Sequence, residues 1–144
     1  MRKQKILIFH PYLTPYRIDL YNSLNSLFKV EALLTGGEKE IKSLGFDLSY
    51  VNKQAKFLYR YTRKGFYVGR HLVSNQYCKV IYLFKPDVII AHEMGFNTWV
   101  ALFLKYLIGY RVFVTIDDSP KMFKRSFILR KTNISINSVN AFFT

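Results

Sequence analysis

Short apolar runs rich in β-branched residues recur along the chain, and longer segments with helical patterning separate them. The runs cover residues 5–9, 29–35, 57–61, 87–91, 111–116 and 141–144. Most of their residues are apolar, without regular alternation of apolar and polar positions, which is typical of strands that helices cover on both faces. Strands that alternate with helices predict a parallel sheet. We therefore predict a doubly wound, Rossmann-like α/β fold in one domain over residues 1–144.

Apolar positions at helical spacing predict the connecting helices. The first helix follows the proline-rich loop at 10–16. A long amphipathic helix is predicted over residues 66–84, ended by Pro86, and an almost wholly apolar helix over 96–108, capped by Gly109. Residues 38–53 are weakly patterned, and residues 121–131 form a basic amphipathic stretch.

Polar side chains follow the strands that this topology places at the centre of the sheet. In doubly wound sheets, ligands bind beyond the carboxyl ends of the strands, where the strand order reverses. For the order 3-2-1-4-5-6 that point lies between the strands at 5–9 and 87–91, with the strand at 111–116 beside them. The residues there that we predict to line one crevice are His10, Tyr16, Arg17, His92, Glu93, Asp117 and Asp118.

Four residues of this set also have ordinary structural interpretations: Tyr16, Arg17, His92 and Glu93. Arg17 either clamps an anion at the start of a helix or is a solvated surface charge, with Tyr16 packed under the loop. His92 and Glu93 either bind a ligand or cap the following helix, whose dipole favours a nearby carboxylate.

Asp117 and Asp118 form an adjacent acidic pair. They can bind a cation, act as a base or accept hydrogen bonds from sugar hydroxyls. Alternatively, an aspartate just before Ser-Pro is ordinary chemistry for the start of a helix. The residues alone leave these alternatives open.

Motifs for common cofactors are missing. No G-x-G-x-x-G follows the first strand and no Walker A sequence occurs, so a standard dinucleotide or P-loop site is not expected. The pair Gly36-Gly37 is interpreted as a turn. The single cysteine, Cys78, can form neither an internal disulfide nor a cysteine-based zinc site, which fits a reducing compartment. We expect no cofactor and no metal.

Four segments, in chain order, resemble segments of one enzyme family. They are residues 5–9 with Pro15-Tyr16-Arg17, residues 85–93 (KPDVIIAHE), residues 112–118 after Gly109, and residues 140–144 (NAFFT). This series resembles the N-terminal domain of GT-B glycosyltransferases of the family 4 type, and it covers nearly the whole chain. The resemblance implies transfer of a sugar from a nucleotide-sugar to a glycan or lipid-linked acceptor, in cell-surface polysaccharide synthesis.

The resemblance also implies a division of labour between two domains. In this family the N-terminal domain mainly holds the acceptor, and the C-terminal domain holds the nucleotide-sugar and carries a Glu-x7-Glu signature. The chain contains no Glu-x7-Glu. We therefore expect an acceptor domain that ends near its sixth strand. The nucleotide-sugar would be a partner only together with a C-terminal domain, and the chain alone would transfer little or no sugar.

Residue roles follow from the same resemblance. Glu93 and Asp117 are the candidate catalytic residues, since a carboxylate can assist the loss of a proton from an acceptor hydroxyl. Arg17 would bind an anionic group of the acceptor, and His92 its hydroxyls. At Asp117 the family has a histidine that contacts the donor sugar. A carboxylate accepts but does not donate hydrogen bonds at neutral pH, so the donor preference does not carry over.

The charge distribution predicts an anionic partner. The chain has 22 basic and 9 acidic residues and a net charge of +13. The basic residues of the predicted surface are Lys53, Lys56, Arg60, Arg63, Lys64, Lys121, Lys124 and Arg125. Interleaved aromatic residues suit an anionic membrane, while nucleic acid or a merely solvated basic face are alternatives.

We favour the membrane over nucleic acid. The acceptors of such enzymes are often lipid-linked, and no nucleic-acid-binding motif occurs in the chain. The rival hypothesis is a basic, non-catalytic module that binds an anionic membrane or nucleic acid. The longest run without a charged residue, 132–144, has 13 residues, and a membrane span needs about 20. We therefore expect a cytoplasmic protein that is peripheral to the inner face of the membrane.

Overall fold

The structure, a computed structural model, describes residues 2–36, 45, 48–69, 71–92, 95–115 and 141–143. Its strands are β1 (Lys5–His10), β2 (Lys29–Leu34), β3 (Leu58–Tyr61), β4 (Phe66–Val68), β5 (His71–Val73), β6 (Val88–His92), β7 (Arg111–Thr115) and β8 (Ala141–Phe143). Its helices are α1 (Pro15–Leu27), α2 (Leu48–Gln54), α3 (Gln76–Phe84) and α4 (Phe96–Ile108).

Six strands form one parallel sheet in the order β3-β2-β1-β6-β7-β8. The central pair is β1 and β6, in parallel register with Ile6 opposite Val88 and Phe9 opposite Ala91. The strand order reverses between them, because the chain adds strands on one side of β1 up to β3 and then continues on the other side from β6. The predicted doubly wound α/β fold, with these two strands adjacent at its centre, is confirmed.

The sheet is buried on both faces, and alternate residues of β1 serve the two cores. Leu7 and Phe9 face α3 and α4, where they pack with Tyr77, Ile81 and other buried residues. The even positions of β1 pack against α1 and α2 in a second cluster. Odd-numbered and even-numbered residues of β1 are therefore both apolar, which explains the continuous apolar run of this strand in the sequence.

The prediction of one helix over 66–84 is wrong in its first half. Residues 66–73 form the antiparallel hairpin β4–β5, in which Val68 pairs with His71, and α3 begins only at Gln76. Gly69 occupies the turn with φ +61°, a conformation that L side chains rarely adopt. Aromatic and β-branched residues on both sides of a two-residue turn favour a hairpin over a helix.

The helix ends follow from local chemistry. Pro15 starts α1, where its missing N–H costs nothing. After Phe84, the last residue of α3, Lys85 has φ +51° and precedes Pro86, which cannot continue a helix. Gly109 caps α4 in the left-handed conformation with φ +87°, as predicted. The segment described as weakly patterned contains α2, whose Val51 is fully buried against α1.

Candidate functional site

A crevice opens at the carboxyl edge of the sheet, at the reversal of strand order. It encloses about 220 Å³. The loops after β1 and β2, the β4–β5 hairpin, the end of β6 and the start of α4 supply its walls. The lining residues are Pro11, Tyr12, Thr35, Gly36, Tyr67, His71, Leu72, Tyr77, His92, Gly95, Phe96 and Asn97. Its position is the one that the topology of doubly wound sheets predicts for a ligand.

Backbone hydrogen bonds hold the crevice loops to the sheet. The N–H of Thr35 donates to the carbonyl oxygen of His10 at 2.9 Å, and the N–H of Gly36 donates to that of Pro11 at 2.5 Å. These bonds extend the β1–β2 ladder past the last strand residues. The two loops therefore form one rigid wall, and Pro11 adds stiffness by fixing its own φ.

Two histidine rings meet at the end of β1 and β6. The ring centroids of His10 and His92 are 4.4 Å apart, with an angle of 38° between the planes. His10 is buried, and its Nδ1 lies 2.6 Å from the carbonyl oxygen of Tyr12. Since a carbonyl only accepts, Nδ1 of His10 carries a proton and donates it to this carbonyl in a hydrogen bond.

His92 is the member of the pair that lines the crevice. Its Nδ1 lies 3.4 Å from the hydroxyl oxygen of Thr115, on the neighbouring strand β7. Two imidazolium charges in ring contact would repel each other, which disfavours the doubly charged pair. A neutral imidazole offers both a donor and an acceptor nitrogen. The pair can therefore bind hydroxyl groups and accept a proton.

The hairpin brings the third histidine of the chain to the same crevice. His71 lies on β5 and faces the start of α4, where its Nδ1 would be 3.8 Å from a Cβ atom added at Gly95. The same Cβ would approach the side-chain oxygen of Asn97 to 2.5 Å. Glycine at 95 thus lets the buried Asn97 side chain occupy the crevice wall.

Tyr77 forms the apolar base of the crevice. Its ring contacts Phe9 edge-on, at 5.6 Å between centroids, and lies 6.3 Å from the ring of Phe96. Its hydroxyl donates to the carbonyl oxygen of Leu72 on the hairpin at 3.2 Å. Burial raises the pKa of Tyr77 to about 12, so this phenol stays neutral at physiological pH.

The structure brings together only part of the predicted site. His10 and His92 are in contact, whereas Tyr16 and Arg17 lie in the first turn of α1, outside the crevice lining. Tyr16 is 68% exposed, and the guanidinium carbon of Arg17 lies 5.6 Å from its ring centroid. The three acidic residues of the prediction, Glu93, Asp117 and Asp118, lie outside the described residues.

The predicted basic surface is likewise only partly described. Lys53, on α2, and Lys56 are exposed, as are Arg63 and Lys64 just before the hairpin. Arg60 differs from them because its Nη2 is 2.6 Å from Oε1 of the buried Glu31. The other members of the predicted surface, Lys121, Lys124 and Arg125, lie outside the described residues.

Sequence reasoning missed the contribution of the hairpin to the crevice. Tyr67, His71 and Leu72 reach it because residues 66–73 fold as strands rather than as a helix. The available signal was two short runs of strand-forming residues separated by Gly69 and one further residue. Asn97 was missed because its position was assigned to an apolar helix, with no reason to single out its one amide.

Comparisons with known proteins show the fold and no family. No family model and no curated protein sequence matches the chain. A crystal structure from Listeria monocytogenes, provisionally described as a UDP-N-acetylglucosamine 2-epimerase, matches with a TM-score of 0.55 and 9% identity. That protein has a GT-B-like fold. The match covers 99% of this chain and 38% of that one, so the chain spans well under half of its structural relative.

The described residues lack two further kinds of feature. They contain no group of three or more side chains that could hold a metal ion. Among the described helices, none is long and apolar enough to cross a bilayer.

Proposed function

We propose that this chain is the acceptor-side domain of a glycosyltransferase that uses a nucleotide-sugar, and that its crevice binds the sugar acceptor. The observation that carries the proposal is the His10–His92 pair, in contact at the point where the strand order reverses. The resemblance of the sequence to GT-B enzymes of the family 4 type and the GT-B-like structural relative support it.

The crevice has the composition of a site for a small polar ligand. Aromatic side chains such as Tyr67 and Phe96 supply flat apolar surface, and a few polar groups converge between them. His92, His71 and Asn97 offer both donors and acceptors. A sugar has hydroxyls that need both kinds of partner and C–H faces that pack on aromatic rings.

Transfer to a hydroxyl requires that this hydroxyl lose its proton. Neutral imidazole is well suited to accept that proton near neutral pH. We assign to His92 the hydrogen bond to an acceptor hydroxyl and to His10 the support of the His92 ring. The carboxylate roles of Glu93 and Asp117, and the donor site on a second domain, remain predictions from the resemblance.

Nuclear magnetic resonance of the three histidine rings tests the proposal directly. The labelled chain is titrated with a panel of methyl glycosides, with UDP and with UDP-N-acetylglucosamine. At least one methyl glycoside should shift the ring signals of His92 and His71 in a saturable way, and UDP should not. His92→Gln and Asn97→Ala should each weaken that binding by about fivefold or more, as expected when one hydrogen bond to the ligand is lost.

A matched control separates binding from folding. Tyr82→Ser removes an exposed side chain at the opposite edge of the sheet and should leave glycoside affinity unchanged. If UDP alone saturates the crevice and shifts the same rings, the site binds the nucleotide and the acceptor assignment is wrong. If no sugar shifts any histidine, the crevice is not a sugar site.

One observation favours the rival function, a binding module without catalysis. The hairpin exposes Phe66, Tyr67 and Val68 directly after the exposed cations Arg63 and Lys64. Such a surface suits an anionic partner. Under this alternative no glycoside shifts the ring signals of the histidines, while the double variant Arg63→Gln/Lys64→Gln lowers binding to anionic vesicles or to single-stranded RNA.

A further inference from the structure

A second cavity lies at the opposite, amino-terminal edge of the sheet, and its ligand chemistry differs from that of the crevice. It encloses about 610 Å³ between the starts of β1, β6 and β7 and the carboxyl ends of α3 and α4. Three cations line it: Arg2, Lys85 and Arg111. Apolar groups from the two helices, Tyr82, Leu107 and Ile108, form its other side.

Among the described residues that line this cavity, three are cations and one is an acid. Asp87, an acidic residue in the lining, is engaged by Arg2 at 3.5 Å and by the backbone N–H of Lys5 at 2.7 Å. Lys85 and Arg111 are both exposed. The cavity therefore presents cations beside apolar surface, the combination that an anionic amphiphile requires.

The apolar side of the cavity continues along the outer face of α4. Phe103, Tyr106 and Leu107 are each more than 70% exposed, although Ala101 and Leu102 on the opposite face are buried in the core. A helix that is apolar on all sides is normally covered on all sides, by protein or by lipid. Contiguous exposed apolar surface of this kind marks a contact site.

We propose that the amino-terminal cavity and the outer face of α4 dock on the surface of an anionic lipid bilayer. The lipid headgroup phosphates would contact Lys85 and Arg111, and Tyr82, Phe103, Tyr106 and Leu107 would enter the interface. Charge favours a bilayer over a second copy of the chain as the binding partner. The chain has a net charge of +13, so a second copy would bring like charges together, whereas an anionic bilayer carries the complementary charge. The 13-residue α4 is about 20 Å long, which suits a helix lying on the membrane rather than crossing it.

This proposal does not depend on what the crevice binds. It also differs from the surface that the sequence predicted, because Lys53, Lys56, Arg63 and Lys64 are not among the residues lining this cavity. Since the two surfaces use different side chains, substitutions can assign membrane binding to one or the other.

Co-sedimentation of the chain with vesicles provides the test. Vesicles of 70% phosphatidylcholine and 30% phosphatidylglycerol should bind, and vesicles of phosphatidylcholine alone should not. The triple variant Tyr82→Ser/Phe103→Ser/Leu107→Ser should lower the partition coefficient about tenfold or more. Lys85→Gln/Arg111→Gln should lower it about tenfold at low salt and hardly at all at 1 M salt, where the screening length is about 3 Å.

A spectroscopic reading locates the contact. Trp99, the single tryptophan, lies on α4 one turn before Phe103. Its fluorescence should be quenched by vesicles that carry brominated acyl chains. All substituted side chains are exposed, so the thermal unfolding of the variants should match that of the wild type within a few degrees, which circular dichroism can verify.

Matched variants on the other surface make the result decisive. Lys53→Gln/Lys56→Gln and Phe66→Ser/Val68→Ser should leave vesicle binding unchanged. Vesicle binding that these variants abolish and the α4 variants spare would overturn the proposal. So would the absence of binding to anionic vesicles, or a dimer in light scattering that Phe103→Ser dissociates.

Discussion

Removing the charge of Arg60 should destabilise the protein at neutral pH and much less in acid. Glu31 is a carboxylate only 4% exposed, on the face of β2 that packs against α3. Arg60 lies opposite Leu33 in the β2–β3 register, on the same face, and its Nη2 is 2.6 Å from Oε1 of Glu31. Arg60 itself is about half exposed.

Two opposing effects set the pKa of Glu31. Burial removes water from the carboxylate and raises its pKa, and the attraction of Arg60 lowers it less than burial raises it. Since the pKa is raised in the folded state, the contribution of Glu31 to stability is fully present below the unfolded value of 4.5. It is lost as the pH rises through the folded value. At pH 7 the charged Glu31 is therefore costly, and Arg60 limits that cost.

The magnitude follows from the exposure of the two partners. Breaking a fully buried ion pair costs about 3–5 kcal/mol, and an exposed pair contributes about 0–1 kcal/mol. Because water reaches the Arg60 side of this pair, we expect Arg60→Met to lower the free energy of unfolding by about 2 kcal/mol at pH 7.5. At pH 5 the loss should shrink to well under 1 kcal/mol, since Glu31 can take up a proton instead.

Urea denaturation followed by circular dichroism at several pH values measures these differences. Glu31→Gln should be neutral or slightly stabilising at pH 7.5, because it removes the buried charge and keeps a group that can accept from Arg60. Lys79→Met, which removes an exposed charge from the same cavity lining, is the control and should change little. An equal loss for Arg60→Met at both pH values would show that Arg60 acts through packing, and refute the electrostatic account.

Three further predictions concern single groups. Tyr77→Phe should lower the free energy of unfolding by about 1 kcal/mol in urea, by loss of the bond to Leu72. The stability of this variant should also fall less steeply than that of the wild type between pH 10 and 12. In the wild type, burial raises the pKa of Tyr77 from 10.0 to about 12, so its contribution to stability is complete below pH 10 and is lost as the pH rises to 12. Gly95→Ala should displace Asn97 and weaken glycoside binding in the histidine titration, with the melting temperature as the measure of folding. Gly109→Ala should cost about 1 kcal/mol in the same urea assay, because φ is +87° there, and a normal stability would contradict the assigned cap.

The sequence pattern predicted the sheet because each strand can be recognised from its own run of apolar residues. The strand at residues 87–91 of the prediction is Val88–His92 in the structure, and the apolar helix over 96–108 is confirmed at both ends. Both faces of β1 are buried, so its composition alone distinguishes it from a surface strand. The handedness and order rules for parallel sheets then left few topologies to choose from.

The sequence pattern predicted the wrong secondary structure for residues 66–73, where the composition fits both a helix and a hairpin. Residues 66–73 contain apolar residues that fit a helix face as well as a hairpin, and tertiary contact decided between them. The hydroxyl of Ser74 donates to the carbonyl of Lys64, and the backbone N–H of Arg63 donates to the side chain of Gln76, so the hairpin base is tied to the start of α3. Gly65 permits this closure, because a Cβ atom there would come within 2.5 Å of the carbonyl oxygen of Val73.

By itself the sequence determined the class of the fold, the central strands and the edge of the sheet at which the crevice lies, because these depend on local apolar runs and on general rules of chain connection. Only the tertiary structure decided which side chains meet there. His10 and His92 are 82 positions apart, and their contact follows from the register of β1 and β6, which no local pattern encodes. The arrival of His71 and the burial of Glu31 beside Arg60 depend in the same way on distant segments packing together.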